Sequence, residues 1–154
     1  MNCQYVYIPF KQVGPLKFGM RRSEVRQICG EFRSAKCGFP VDNHHLDDFG
    51  SLHGLYTPDL RLEAVSIFPE ADIVINGNLI HLGKDADSFV RQLSLITDDV
   101  RYVELDQSFV SERLGVVIFC PEKTIENALF YTEHYYDEEN EYLLKEFGVK
   151  KFHY

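Results

Sequence analysis

The sequence predicts an α+β fold, in which antiparallel β-meanders form a sheet and a few helices pack on one side of it. Apolar and polar residues alternate in short segments between residues 52 and 75, as they do in half-buried strands. The dipeptide Asn76-Gly77 is a strong signal for a hairpin turn. Two segments, 22–29 and 86–96, instead repeat apolar residues at the three- and four-residue spacing of a helix.

The first half of the chain is predicted to form strands around one short helix. In the helix 22–29, Val25, Ile28 and Cys29 fall on one face, and Gly30 stands where a left-handed residue ends many helices. Residues 33–47 are predicted to form a loop or irregular segment. The predicted strands are 5–10, 16–19, 52–56, 60–68 and 73–75, of which the last three form an antiparallel meander.

The second half repeats this design and ends in a further helix. Asp85 is predicted to cap the helix 86–96, whose apolar stripe includes Phe89 and Leu93. A last helix, 138–147, is predicted with Asp137 as its cap and Gly148 as its end. The predicted strands are 79–82, 101–105, 114–120 and 124–131, with 149–154 as an edge strand.

Two short internal matches raise the hypothesis of a duplicated αβ unit. Residues 25–28 recur as 90–93, and residues 65–68 recur as 116–119. The spacing of the two pairs agrees only if the first half carries an insertion, which we place in the loop 33–47. Because the matches are so short, duplication and a single undivided domain both stay open. The predicted organisation is one domain, 1–154, with candidate units at about 5–77 and 79–131 and a C-terminal helix and strand at about 137–154.

Charge is distributed unevenly along the 154 residues, whose formal net charge is −8. Residues 1–40 carry seven basic and two acidic side chains, so the remainder holds nine basic and 22 acidic ones. A surface with this balance repels nucleic acid and attracts a basic partner.

The most distinctive acidic segment is 131–142, which interleaves tyrosines with carboxylates and contains no Lys or Arg. Tyrosine supplies contact area and carboxylates bind Arg or Lys, so the segment is typical of a surface that recognises a basic protein. The alternative is an acidic helix whose tyrosines pack inward. The candidate partner-binding residues are Glu133, Tyr135, Tyr136, Asp137, Glu138, Glu139 and Glu141, joined by Asp47, Asp48 and Asp59.

An enzymatic interpretation rests on the loop His44-His45-Leu46-Asp47-Asp48, in which imidazoles and carboxylates are candidates for metal binding or proton transfer. Its spacing fits no common metal site, and no nucleophile elbow or phosphate-binding loop is present. The four cysteines are scattered without a Cys-x-x-Cys pair, which favours reduced thiols. We therefore expect neither a cofactor nor a resident metal.

The N-terminal helix region resembles a known bacterial unit. Leu16-Lys17-Phe18-Gly19-Met20, followed by Glu24-Val25 and Ile28-Cys29-Gly30, is similar to the Gly-Met-(Ser/Thr)-x-x-(Glu/Gln)-Val-x-x-(Ile/Leu)-Leu-Gly segment of small bacterial αβ proteins. These include β-lactamase inhibitor proteins, outer-membrane assembly lipoproteins and, most like this chain, immunity proteins of contact-dependent growth inhibition and other polymorphic toxin systems. Arg21 departs from the usual Ser or Thr cap, and Cys29 from a common Leu.

The resemblance implies a non-enzymatic protein that binds one cognate toxin domain, often a basic nuclease, and blocks it. Residues 1–12 lack the basic start and apolar core of a secretory signal, and no apolar run approaches the roughly 18 residues of a membrane span. The expectation is a cytoplasmic immunity protein with an acidic interface. A small metal-dependent enzyme using the histidine loop and a housekeeping adaptor or ligand-binding domain remain as alternatives, and the oligomeric state is left open.

Overall fold

The computed structural model describes residues 3–39 and 41–149, which form two sheets and three helices. The helices are α1 (Arg22–Cys29), α2 (Ala86–Ser94) and α3 (Asp137–Phe147). The strands of the first half are β1 (Cys3–Ile8), β2 (Gln12–Val13), β3 (Leu16–Lys17), β4 (Arg33–Cys37), β5 (His44–Asp48), β6 (Leu52–Tyr56) and β7 (Leu62–Ile67). Those of the second half are β8 (Ala71–Ile75), β9 (Asn78–Leu82), β10 (Arg101–Val103), β11 (Ser108–Ser111), β12 (Val116–Phe119) and β13 (Asn127–Tyr131). The predicted α+β class is confirmed.

The larger sheet has eight strands in the order β10-β11-β12-β13-β7-β6-β5-β4, and all its pairings are antiparallel. It consists of two four-strand meanders that meet where β13 pairs with β7. All six residues of β7 are buried, as expected for a strand in the middle of a sheet that is covered on both faces.

The smaller sheet has the order β3-β2-β1-β8-β9. Its central pair, β1 and β8, is parallel, and the hairpins β1-β2 and β8-β9 flank it. The hairpin at Asn76-Gly77 is confirmed. The predicted meander of 52–56, 60–68 and 73–75 is wrong at its last strand, because residues 71–75 leave the larger sheet to pair with β1.

The main hydrophobic core lies between the two sheets and includes α1 and α2. Val25 of α1 and Phe89 and Leu93 of α2 are almost completely buried there. The prediction of an apolar face of α1 that turns to the core is only partly right, because Ile28 is 46% exposed and only Val25 is buried. On α2, Asp85 caps the helix as predicted, since its side chain accepts a hydrogen bond from the Asp87 N–H.

A second apolar cluster covers the opposite face of the larger sheet. Val117, Leu129 and Tyr131 point to this side, alternating with neighbours in β12 and β13 that point to the main core. Tyr135 and Tyr136, at the start of α3, pack on them. Since the segment leading into α3 covers this face, helical structure lies on both sides of the larger sheet.

Tyr7 ties the smaller sheet to the larger one. Its hydroxyl donates to the carbonyl oxygen of Leu114 at 2.7 Å and lies 3.0 Å from that of Gly115, in the turn between β11 and β12. The Phe10 N–H donates to the same hydroxyl at 3.3 Å. Gly115 has a positive φ of 68°, and its α-carbon faces the Phe10 ring. The junction therefore leaves no room for a larger residue.

The predicted loop 33–47 is wrong, because the chain forms the hairpin β4-β5 there, paired in register from Arg33↔Asp48 to Cys37↔His44. Four of the five β4 residues are exposed. Edge strands need no apolar alternation when neither face is covered, so the sequence pattern fails to reveal this one.

The two halves follow the same order of elements. In each, strands of the smaller sheet precede a helix and a four-strand meander of the larger sheet. The segments from the end of each helix to the end of its meander, 30–67 and 95–131, are nearly equal in length. The proposed insertion in the first half is therefore unnecessary. The last strand of the first meander, β7, corresponds to the last strand of the second, β13. Residues 116–119 form β12 instead, so the sequence match of 65–68 with 116–119 is displaced by one strand. Whether the halves arose by duplication stays a hypothesis.

Helix boundaries differ in detail from the predictions. α1 begins without a Ser or Thr cap, and the Glu24 carboxylate instead accepts a hydrogen bond from the Arg21 N–H at 3.4 Å. Gly30 has a φ of 90° but a ψ of −134°, outside the left-handed helical region. Asp137 is the first residue of α3 and not its cap, whereas Gly148 ends the helix in the left-handed conformation as predicted. The predicted edge strand 149–154 lies almost wholly outside the described residues.

Within 3–39 and 41–149, the helices are too short or too polar to cross a bilayer.

Candidate functional site

An open cleft of about 480 Å³ lies on the outer face of the larger sheet, beside the start of α3. Strands β4 to β7, β12 and β13 form its floor and one wall, and residues 135–139 form the other. Its lining combines aromatic and aliphatic side chains with imidazoles and carboxylates. Such a mixture of an apolar surface and convergent polar groups is typical of a binding site.

His44 is the polar centre of the cleft. Its Nδ1 lies 2.5 Å from Glu63 Oε1, on the central strand β7, and its Nε2 lies 3.4 Å from Glu138 Oε2, on α3. Glu63 is only 7% exposed. The imidazole therefore links the edge hairpin, the middle of the sheet and the last helix.

The pKa values of His44 and Glu63 follow from the burial and the neighbours of each side chain. Burial alone lowers the pKa of His44, but Glu63 and Glu138 outweigh that effect and raise it above the ordinary value. Burial also raises the pKa of Glu63, although His44 opposes the shift, and Glu138 and Asp59 add to it. Both pKa values are therefore shifted upward, so His44 keeps its proton to a higher pH than an exposed histidine does.

These shifts predict that the protein loses stability as the pH rises. A folded-state pKa above the unfolded value contributes stability that is fully present below the unfolded pKa, near 6.5 for histidine, and is lost as the pH rises through the folded one. We expect His44→Gln to flatten the decline in the free energy of unfolding above that pH. Urea denaturation at several pH values across the neutral range measures this decline in the free energy of unfolding.

The matched control is His45→Gln, which alters the next residue of the same strand. A decline in His44→Gln as steep as in the unchanged protein would contradict the assignment.

The predicted partner-binding residues occupy different environments. Glu133, Asp137, Glu138, Glu141 and Asp59 are exposed, and the first four form an acidic surface along α3 and the turn before it. The ion pairs found for Asp137 and Glu138 in the described residues are with His134 and His44.

The other candidates are partly or fully covered. Glu139 and Tyr135 are half-buried, and Tyr136 is 4% exposed and packs in the outer cluster. Asp48 is half-buried and lies 3.3 Å from His53 Nε2. The tyrosines at 135 and 136 thus follow the alternative interpretation, in which they pack inward.

Asp47 has no exposed surface and belongs to a structural network. Its Oδ2 accepts a hydrogen bond from Arg26 Nε at 2.7 Å, and its Oδ1 accepts bonds from Arg26 Nη2 and the Ser34 hydroxyl. Burial by itself raises the pKa of Asp47, but Arg26, Ser34 and Tyr56 lower it below its ordinary range. Asp47 is therefore not accessible to a partner.

The histidine loop does not form a metal centre in the described residues. His44 points into the cleft, whereas Asp47 lies on the other side of the sheet beneath α1. Across the described ranges, no three His, Cys, Asp or Glu side chains converge in a way that suits a cation. The strand geometry that places successive side chains on opposite faces explains the separation.

Cys37 lies directly opposite His44 in the β4-β5 pair and also lines the cleft. A nucleophilic cysteine needs a lowered pKa, supplied by a nearby positive charge. Burial, Glu63 and Asp42 instead raise the pKa of Cys37. Since both nitrogens of His44 face carboxylates, the arrangement favours a neutral thiol.

Apolar side chains are exposed beside the acidic surface. Phe39 is 48% exposed, Val41 63% and Phe147 67%, and the Phe39 and Phe147 rings each contact Tyr142 of α3, at centroid distances of 5.1 and 6.3 Å. The three rings and Val41 form what we call the aromatic patch. It borders carboxylates on one side, as the core of a protein interface borders its polar rim.

Sequence reasoning missed Glu63 altogether. The available signal was a single charge within the apolar strand sequence Leu62-Glu63-Ala64-Val65, since a buried carboxylate is rare without a partner. Identifying His44 as that partner requires the register of β5, β6 and β7, which the sequence does not supply.

Comparison of the chain with models of protein families, with curated proteins and with solved structures finds no match.

Proposed function

We propose that this chain is a cytoplasmic immunity protein, which binds and neutralises a cognate toxin domain with a basic surface, such as a nuclease. The observation that carries the proposal is the acidic surface formed by Glu133, Asp137, Glu138 and Glu141 next to the aromatic patch. The resemblance in residues 16–30 and the overall charge of −8 agree with it.

The two parts of this surface do different work in binding. Aromatic side chains in the middle of an interface supply most of the affinity, because they bury large areas at little cost in conformational entropy. Carboxylates at the rim steer a basic partner and raise the association rate. Together they suit rapid capture of a basic protein.

Inhibition of a nuclease follows directly from such a surface. A nuclease binds its substrate through Lys and Arg that contact phosphates. The carboxylates of the acidic surface compete for those side chains, so that the nucleic acid is excluded. No catalytic step by the immunity protein is needed.

The test begins with co-purification of the tagged protein with the toxin domain encoded by the adjacent upstream gene. A growth assay with and without the immunity protein accompanies it. We expect stable capture and rescue of growth. Failure of both would reject the immunity role and favour an adaptor whose partner is encoded elsewhere.

Charge reversal tests the acidic surface. The double variant Glu133→Lys and Glu141→Lys should weaken toxin binding by about 10- to 100-fold at low salt, mainly by slowing association. The effect should shrink as salt is added, because the charges are exposed. Surface plasmon resonance at two salt concentrations measures both rates.

The matched control reverses two exposed carboxylates elsewhere, Glu31→Lys and Glu122→Lys, with the same change in net charge. Thermal melting should show that both doubles are folded. Equal affinities for the two doubles would show that net charge, and not the α3 surface, governs binding.

A further inference from the structure

The cleft around His44 lies beside the acidic surface, and its lining suits a ligand of its own. We propose that it receives one arginine side chain of the protein partner, with the guanidinium held between the cleft carboxylates and its aromatic walls. This inference rests on the proposed function, because it assigns a specific anchor to the same interface.

The charge of the lining favours a cation. Glu63, Asp106, Glu138 and Glu139 contribute carboxylates, and no Lys or Arg is found among the described lining residues. His44 already bridges Glu63 and Glu138, so it offsets one negative charge at most. Glu63 and Glu138 thus share one imidazole, which leaves an excess of negative charge in a partly desolvated setting, where electrostatic attraction is stronger than at an open surface.

The shape of the lining favours a guanidinium over a compact ammonium. Phe39, Phe119 and Tyr135 present rings on the walls, and Leu55 and Leu129 form an apolar floor. A planar guanidinium stacks on aromatic faces while it donates hydrogen bonds in its own plane, and the alkyl stem of arginine packs on aliphatic side chains. A cavity of about 480 Å³ accommodates one such side chain.

The position of the cleft fits an anchor within an interface. Its floor is formed by central strands of the eight-stranded sheet, and its outer wall includes Glu138, which belongs to the acidic surface. Phe39 belongs both to the cleft and to the aromatic patch. An arginine entering here would therefore lie beside the partner surface that α3 attracts, where buried Arg anchors dominate binding energy.

The experiment uses a blocked arginine, Nα-acetyl-arginine methylamide, as the probe. The matched control is the citrulline analogue, which has nearly the same shape and no charge. We expect saturable shifts of the His44 and Tyr135 NMR signals with the arginine probe, with a dissociation constant on the order of 1 mM. Shifts that are equal for citrulline, or that do not saturate, would overturn the proposal.

Variants locate the binding. Glu63→Gln keeps the shape of the side chain and should weaken arginine binding at least several-fold, whereas Glu31→Gln, at an exposed residue outside the cleft lining, should leave it unchanged. Because Glu63 is buried, Glu138→Gln provides a second test that does not depend on the folding of the first variant. Binding unaffected by both cleft variants would place the probe elsewhere and overturn the assignment.

The two proposals fail in distinguishable ways. If arginine does not bind but Glu133→Lys with Glu141→Lys weakens toxin capture, the immunity role stands and the anchor is wrong. If arginine binds in the cleft but no toxin is captured, the cleft is a guanidinium receptor and the immunity role is wrong.

Discussion

Replacing Asp47 by alanine should lower the free energy of unfolding by about 3 kcal/mol. The carboxylate has no exposed surface and binds Arg26 through both oxygens. Its removal leaves the half-buried Arg26 guanidinium and the Ser34 hydroxyl without the acceptor that they share. Urea denaturation at neutral pH measures the loss.

Asp42→Ala provides the control, because Asp42 lies in the same hairpin but is exposed, and its effect should stay within about 0.5 kcal/mol. The pKa of Asp47 is lowered in the folded state, so its contribution is present above its unfolded value of 3.8 and is lost as the pH falls. Asp47→Ala should therefore also flatten the acid limb of the stability profile. A loss no larger than that of Asp42→Ala would show that the network is dispensable.

The second large effect is expected at Gly115, where alanine should cost about 3 kcal/mol. The backbone there has a φ of 68°, which is unfavourable for any residue with a β-carbon. An added β-carbon would also lie 2.7 Å from Cε1 of Phe10 and 3.0 Å from the Tyr7 hydroxyl. Thermal unfolding with a fitted free energy measures the sum of strain and overpacking.

Gly77→Ala separates these two contributions. Gly77 has a similar φ of 78°, but nothing lies within 4 Å of an added β-carbon. It should therefore show the backbone cost alone, about 1 kcal/mol. Equal losses at both glycines would mean that the Tyr7–Phe10 junction moves aside without cost.

The local elements could be predicted because their signals are local. The helix α1 is found at its predicted bounds, and Asp85 and Gly148 begin and end helices as expected. Capping hydrogen bonds and positive φ values involve only a few neighbouring residues, so one stretch of sequence contains the whole cause.

Pairing between distant segments could not be predicted in the same way. The parallel contact of β1 with β8 joins residues about 70 positions apart, and β4 is exposed and carries no apolar alternation. What orders β4 is its hydrogen bonding to β5, which depends on a turn containing Gly38 at a φ of 120°. Propensity is a weak guide where tertiary pairing decides.

The candidate site likewise contains residues that the sequence could predict and residues that it could not. Its exposed carboxylates on α3 follow from the composition of 133–141, because charged residues remain at the surface unless they are paired. The buried ones, Asp47 and Glu63, are explained only by Arg26 and His44, which the fold brings to them from 21 and 19 residues away. Tyr136 is likewise covered by strands that the sequence does not place beside it.

The contact between β7 and β13 has a consequence for the protein while it is being synthesised. Pairing of Ala64 with Tyr131 and of Ile67 with Ala128 completes the middle of the sheet only after the second meander has left the ribosome. Until then, an emerging chain that has already folded its first meander displays an apolar, unpaired strand edge. An unpaired strand edge is a template for pairing with another chain, and the pairing of β7 with β13 removes it.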